Sequence, residues 1–402
     1  MTDEKLRTDV LSWQLLTDVL DWPEEDIKKA ILFKDSYKPI TRKKRDGSLR
    51  RIYAPDSTLK RFQRRLLKYF LYRIPLDSSL PIEGFRPKSS YVDNARKHAQ
   101  RNVRFVLRLD FQDAFPSVKT EYLRTILKKV LSSEVERYIK KDYRRGPLFP
   151  NKRVGWFRKL FRDLFQLNQL NLFVADPLKI LDEFVELILP LITYQGELPQ
   201  GAPSSPYLLN VVLCYSGLLG KIYQFLWDNR ILFSEDDVSR VLSTIYADDL
   251  TISSSEPISR SLINQLIDLI EQESPFKINQ KKTIYFSRAR IAPLVTGLRL
   301  VKLVKTGLEL EELLSEEDLT KKQMKNILRK KLNEKGEWIV ASVSLPKKQI
   351  RRIRGLIHRA IFDKTLASTV EGHIANLKAV YGQNLPNQIA VPYQKYLKSL
   401  EG

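Results

Sequence analysis

The run Ser243-Thr244-Ile245-Tyr246-Ala247-Asp248-Asp249-Leu250-Thr251-Ile252-Ser253 leaves a chain few ways to fold. β-Branched residues alternate on either side of a short acidic centre, the pattern of two strands joined by a tight turn. Asp is one of the few non-glycine residues that tolerates the left-handed backbone such turns use. A second extended segment, Phe105-Val106-Leu107-Arg108-Leu109-Asp110, also ends in a carboxylate. Carboxylates crowded together raise one another's pKa unless cations stand between them. Hard oxygen donors, few in number and beside phosphates, suit a pair of Mg2+ ions. Two such ions about 4 Å apart activate an attacking hydroxyl and stabilise a leaving pyrophosphate in line. Taken alone, Ala247-Asp248-Asp249 reads first as a solvated turn; the rest of the chain decides against that.

The formal net charge is +22, which points to a polyanionic partner, nucleic acid or an anionic membrane surface. No apolar run approaches membrane-spanning length, because Phe184 to Leu191 is short and interrupted by Glu186. The polar start, Met1-Thr2-Asp3-Glu4-Lys5, lacks the features of a signal peptide. A single cysteine, Cys214, excludes a disulfide framework and a zinc site built on Cys pairs, so a soluble reducing compartment is expected. A length of 402 residues suits two or three subdomains.

Residues 8 to 34 carry helical spacing in Trp13, Leu16, Val19 and Leu20. Two extended runs, from Tyr37 and to Pro55, flank Asp46-Gly47, a strong hairpin signal in an unusually basic ribbon. Helices are expected over Leu59 to Ile74, Asp93 to Gln100 and most of Val118 to Leu198, where Arg137 to Arg162 is basic and aromatic. Ser205 is expected to cap a long apolar helix reaching about Trp227, with Pro206 at its first position. After the acidic hairpin, Leu262 to Ile270 reads as helix and Lys277 to Phe286 as extended chain. The last hundred residues are helical and basic, notably Lys321 to Lys335 and Lys347 to Arg359. Phosphate-backbone contact is the favoured reading of those tracts. Neutralising about six phosphates would weaken binding by roughly 10³ between about 50 and 200 mM salt.

Asp110 is followed by Phe111-Gln112-Asp113-Ala114-Phe115-Pro116-Ser117. A strand ending in Asp and then turning lets backbone N–H groups and one carbonyl, that of Phe111, face a metal-bound triphosphate. Phe115 could pack beneath an incoming sugar and exclude a 2′-hydroxyl, or it could be core. In Leu198-Pro199-Gln200-Gly201-Ala202-Pro203-Ser204-Ser205-Pro206, three prolines make a rigid loop with one point of close approach. Gln200 can hydrogen-bond beside a nucleotide, and Gly201 is expected to admit template or substrate without a Cβ clash.

Together these segments, in this order, resemble the motif series of reverse transcriptases. Ile278-Asn279-Gln280-Lys281-Lys282-Thr283 resembles the next motif of the series, and the basic hairpin with Arg50 resembles its triphosphate-gripping fingers motif. Asn94-Ala95-Arg96-Lys97-His98 and Val295-Thr296-Gly297 are similar to two motifs of bacterial retron reverse transcriptases. The resemblance covers roughly residues 37 to 300. It implies an α+β right-hand polymerase with an antiparallel-sheet palm, fingers with a β-hairpin and helices, and a helical thumb. The corresponding boundaries are 1–104 for N-terminal helices and fingers, 105–118 and 198–299 for palm, 119–197 for a helical basic insert, and 300–402 for thumb.

The resemblance further implies RNA-directed DNA synthesis with two Mg2+ ions, Mn2+ being a substitute. Asp110, Asp248, Asp249 and the Phe111 carbonyl would hold the metals. Lys44, Arg50, Asp113, Ala114, Phe115, Gln200, Gly201 and Lys282 would contact the dNTP. Asn94, His98, Val295, Thr296 and Gly297 would take part in RNA recognition. Implied partners are a cognate structured non-coding RNA and its branched DNA product, primed from a guanosine 2′-hydroxyl. An effector protein encoded nearby in anti-phage defence, host ribonuclease H and a bacterial cytoplasmic location complete the picture, without a membrane. Two stretches depart from the compact family pattern, Arg137 to Arg162 and Leu303 to Val340, and read as insertions. The alternatives are an intron-derived or other defence-associated reverse transcriptase, and an RNA-binding scaffold that regulates a toxic effector.

Overall fold

A computed structural model describes residues 3–43, 49–77, 80–87, 89–99, 105–139, 177–229, 241–254, 257–287, 294–305, 338–382 and 385–401. In chain order the helices are α1 Asp3–Leu20, α2 Glu24–Leu32, α3 Ser57–Tyr69, α4 Tyr91–Ala99, α5 Ala114–Ser117 and α6 Thr120–Ile139. They continue as α7 Pro177–Ile192, α8 Ser205–Tyr215, α9 Leu218–Asp228, α10 Arg260–Glu273, α11 Lys347–Ala360, α12 Ala367–Tyr381 and α13 Asn387–Glu401. The strands are β1 Tyr37–Lys43, β2 Leu49–Pro55, β3 Phe105–Gln112, β4 Val241–Tyr246 and β5 Asp249–Ser254. They are followed by β6 Lys277–Ile278, β7 Ile284–Ser287, β8 Leu294–Val295, β9 Leu298–Lys305 and β10 Trp338–Ser344. The described strand pairs given by register are antiparallel, so the fold class is α+β.

Contacts divide the chain into two units, Met1–Pro87, Leu109–Asp228 and Arg260–Lys282 against Lys88–Arg108, Asn229–Ser259 and Thr283–Gly402. The first unit is mainly helical. Asp56 caps α3 by accepting from the N–H groups of Thr58 and Leu59. That helix buries Leu59, Phe62, Gln63 and Leu66 at helical spacing and exposes Lys60, Arg61 and Arg64. The expected long helix after Pro206 is instead two, α8 and α9, bent by 50°. Gly217 takes φ +83° at the break, and the Ser216 hydroxyl accepts from the Leu218 N–H to start α9. Nor is Ser205 the cap: it is already helical, behind Ser204, whose hydroxyl makes no capping bond. Among the described residues no single helix is long and apolar enough to cross a membrane.

In the second unit a three-stranded sheet runs β10-β9-β8. Its core joins Val92, Ala95 and Ala99 of α4 to Val295, Leu298, Leu300, Val343 and Leu345. Ile353, Ile357, Val370, Ile374, Leu377, Ile389 and Tyr396 from the last three helices close that core. Each large apolar side chain so buried contributes about 1.5–3 kcal/mol. α11 turns Lys347, Lys348, Arg351, Arg352, Arg354 and Arg359 outward. The stretch 303–340 is no free insertion at its ends, since Leu303, Val304 and Lys305 pair with Val340, Ile339 and Trp338. Its middle, with Lys321 to Lys335, lies outside the described residues, as does most of Arg137 to Arg162.

Candidate active site

β3 passes from one unit to the other, its residues up to Arg108 lying in the second and those from Leu109 in the first. In the first unit both carboxylate oxygens of Asp110 accept from Lys282 Nζ, at 3.0 and 2.9 Å. Backbone fixes this contact. Phe111 and Gln112 pair with Ile278 and Lys277 of β6, the Asn279 N–H donates to the Asp110 carbonyl at 2.9 Å, and the Lys282 N–H donates to the Asn279 carbonyl at 3.0 Å. Phe111 stacks on Phe276 with centroids 5.1 Å apart. That bond pattern leaves the Phe111 carbonyl outside the β3–β6 ladder.

The chain then turns through Asp113, which is left-handed at φ 45°, into α5. The N–H and hydroxyl of Ser117 both donate to the Asp113 carbonyl at 3.0 Å. Ala114 is buried, and Phe115 is 8% exposed.

In the Leu198–Pro206 loop the Gln200 carbonyl accepts from the Tyr53 N–H at 2.8 Å. Gly201 sits at φ +119°, where a Cβ would come 2.4 Å from Ile52 Cγ2 and 3.0 Å from the Tyr53 carbonyl oxygen. The close approach expected for template or substrate is therefore made by strand β2. Arg50 shares a strand face with Ile52 and lies directly opposite Arg42. Lys44 and the Asp46-Gly47 turn lie outside the described residues.

In the second unit β4 and β5 pair through Tyr246 and Asp249, which leaves Ala247 and Asp248 as a two-residue turn. The positive φ falls on Ala247, at 60°, and not on an aspartate. Only the first central residue is left-handed, as in a type II′ turn, where glycine is usual. Burial pushes the Tyr246 phenol up from its ordinary pKa. The Asp249 carboxylate accepts from Arg108 Nη2 at 2.9 Å. Arg108 was missed in the sequence, although its place two residues before Asp110 puts both side chains on one face of β3.

The residues expected in RNA recognition lie mostly inside the second unit. Asn94, His98 and Val295 are 0% exposed and turn inward. The Thr296 hydroxyl donates to the Tyr91 carbonyl at 2.7 Å. Thr296 and Gly297 have φ of 47° and 83°, the pattern of a type I′ turn joining β8 to β9. Of the five, only Gly297 is exposed. These residues join elements of the second unit to one another.

Among the described residues no three His, Cys, Asp or Glu side chains gather as a ready metal cluster. In kind the donors suit a hard divalent cation, being carboxylates already matched to positive charge. An ammonium stands against Asp110 and a guanidinium against Asp249, where a metal's charge would serve.

No family model matches the chain. In sequence it is similar to the retron Mx65 reverse transcriptase of Myxococcus xanthus, 27% identical over 60% of this chain and 45% of that protein. It is likewise similar to the retron Ec73 and Ec86 reverse transcriptases of Escherichia coli. These are 26% and 27% identical over 64% of this chain, and over 66% and 61% of theirs. The chain thus spans from under half to just under two thirds of the length of these curated relatives. Among solved structures, telomerase of Candida albicans with a fragment of telomeric RNA aligns at TM-score 0.35 and 13% identity, over 69% of this chain and 47% of that one. Apo telomerase of Candida tropicalis truncated of its C-terminal domain aligns at TM-score 0.37 and 13% identity, over 66% and 53%.

Proposed function

We propose that this chain is an RNA-directed DNA polymerase of retron type, consistent with its similarity to retron reverse transcriptases. The observation that carries the reading is the contact between Asp110 and Lys282, 172 positions apart and singled out independently in the sequence. The fingers, palm and thumb boundaries given above are part of this proposal. So is the role of Asp110, Asp248 and Asp249, with the Phe111 carbonyl, as holders of two divalent ions, Mg2+ or in its place Mn2+. When bound, those ions would activate the primer hydroxyl and stabilise the leaving pyrophosphate.

The chain's own groups do the rest. Arg50, with Lys44, draws the triphosphate onto the basic hairpin, and the backbone around Asp113 and Ala114 lies along it. Gln200 and Gly201 hold the loop against that hairpin, and Gln200 orients the nucleotide. Phe115 excludes the ribose 2′-hydroxyl. Lys282, whose ammonium reaches Asp110, supports the triphosphate or the departing pyrophosphate. The template is a cognate structured RNA, copied from a guanosine 2′-hydroxyl into branched DNA. Host ribonuclease H removes the template, and a nearby-encoded effector completes an anti-phage system in the bacterial cytoplasm.

Purified chain with its co-purified RNA, given labelled dNTPs, tests the reading. The variant carrying Asp248→Ala and Asp249→Ala is expected to lose synthesis by about 10³-fold or more while RNA binding persists. Undiminished synthesis would reject the assignment, and equal, negligible DNA from both proteins would favour the RNA-binding scaffold.

A further inference from the structure

His98 lies on α4 and is wholly buried, yet both of its ring nitrogens are in use. Nε2 is 2.7 Å from Thr244 Oγ1 on β4, and Nδ1 is 2.8 Å from Ser253 Oγ on β5. In the hairpin register Thr244 faces Thr251 and Ser253 faces Leu242, so the two hydroxyls are diagonal neighbours on one face. The Ser253 hydroxyl also points to the Leu242 carbonyl at 3.5 Å. That contact is compatible with the tautomer in which Thr244 donates to Nε2 and Nδ1–H donates to Ser253; in either tautomer one ring nitrogen donates and the other accepts.

α4 itself is firmly held. Tyr91 at its start accepts from Thr296, Arg96 Nη2 donates to the Ala379 and Val380 carbonyls at 3.1 and 3.3 Å, and Val92, Ala95 and Ala99 enter the core. A one-residue slip of β4 against β5 would turn one of the two hydroxyls to the other face and break the bridge. The turn leading to Asp248 and Asp249 begins at Ala247, shortly beyond Thr244 on the same strand.

We propose that His98 is a positioning residue, an imidazole clamp that fixes the pairing register of β4 and β5 and hence the presentation of Asp248 and Asp249. The catalytic half of this inference rests on reading that tip as part of a polymerase site; the register half does not. A merely structural histidine would fill space, whereas a clamp requires its two directed bonds.

Three variants of the full chain separate these: His98→Leu, His98→Gln, and the triple His98→Leu with Thr244→Val and Ser253→Ala. His98→Leu strands two buried hydroxyls, whereas the triple makes all three positions apolar and should recover thermal stability. Amide exchange across residues 241–254 and steady-state dNTP incorporation on a primed RNA template are the readouts. In His98→Leu, hairpin exchange is expected to quicken about tenfold and kcat to fall about tenfold, with KM for dNTP nearly unchanged. The triple should regain stability while kcat stays low. His98→Gln, which keeps a donor and an acceptor, should recover most of kcat and covers the case in which His98→Leu does not fold. Recovery of kcat together with stability in the triple would reduce His98 to packing and overturn the proposal, as would unchanged hairpin exchange in both single variants. Hairpin exchange that depends on His98 in a protein making no DNA would leave the register clamp standing and remove the polymerase reading instead.

Discussion

The two hairpins of this molecule are built on opposite principles. In β1–β2 the first strand is exposed from Lys38 onward and the second is mostly half-buried, and the register sets Arg42 against Arg50, with Lys38, Lys43 and Arg51 nearby. Like charges directly opposite weaken a ribbon, and a two-stranded ribbon is marginal to begin with. It is fastened at its base instead. Tyr37 accepts from Gln63 Nε2 at 2.9 Å and packs on Tyr194, whose ring centroid lies 4.4 Å away, and Tyr53 bonds to Gln200. In β4–β5, by contrast, Ser243, Thr244, Ile245, Leu250, Thr251, Ile252 and Ser253 are all buried. Charge accumulated on a ribbon with one exposed strand suits a polyanion, which reverses the sign of the repulsion. A hairpin packed on both faces with its hydroxyls bridged suits groups that must not move.

The largest effect expected from this contrast is at the base of the exposed hairpin. Gly201→Val places a branched side chain at φ +119° against Ile52 and the Tyr53 carbonyl. Strain and overpacking together should destabilise the first unit by about 3 kcal/mol, read from urea unfolding. Adding Ile52→Ala should return the steric part and leave the backbone part. Full recovery would mean that the left-handed φ matters little. Next, Arg50→Ala should raise KM for dNTP about tenfold with kcat nearly unchanged, while stability holds or rises slightly. A matched loss of stability would show that the arginines support the ribbon and do not await an anion. Tyr37 adds a pH test. Burial pushes its phenol up to about 12, so above pH 10 the unfolded chain ionises first. Its contribution to stability should therefore be full below pH 10 and decline as pH rises toward 12, and Tyr37→Phe should make the alkaline decline shallower, other raised phenols such as Tyr246 keeping their share.

How much of this was legible in the sequence follows the same contrast. Periodicity gave both strand pairs, the strand through Asp110 and α3, because local residue types decide them. β3 nonetheless runs on to Gln112, and the left-handed residue of the acidic turn is Ala247. The break at Ser216-Gly217 was outweighed in the sequence, since the apolar pattern resumes directly after those two residues and the left-handed φ of Gly217 makes the bend. At Gly201 the sequence shows that a glycine admits a close approach without naming the neighbour, which here includes Ile52 and the Tyr53 carbonyl. Asn94, His98 and Thr296 drew attention as polar residues in recognisable motifs. Their buried partners, Thr244, Ser253 and the Tyr91 carbonyl, come from distant segments that no local pattern connects. Arg108 was readable from strand alternation, yet nothing local pairs it with Asp249, 141 residues on.

Smaller effects probe the buried hairpin. Asn94 lies one helical turn before His98, 0% exposed, and neither atom of its amide has a partner among the described residues. Asn94→Leu, apolar and of similar size, should raise stability by about 1 kcal/mol and leave RNA affinity unchanged. A lower melting temperature would instead reveal an ordered water bridging that amide.

The smallest stability change belongs to Ala247. A left-handed alanine costs roughly 1–2 kcal/mol, which glycine would relieve, but glycine also adds about 0.5–1 kcal/mol of chain entropy to be lost on folding. Ala247→Gly should therefore leave the melting temperature nearly unmoved. Activity is the sensitive readout, because the turn's single methyl limits the conformations open to Asp248 beside it. A fall in kcat of about two- to threefold at constant stability is expected, reflecting a looser tip. A rise would mean that the hairpin holds its carboxylates too rigidly for turnover, and the contrast between an exposed basic ribbon and a buried acidic one would have to be redrawn.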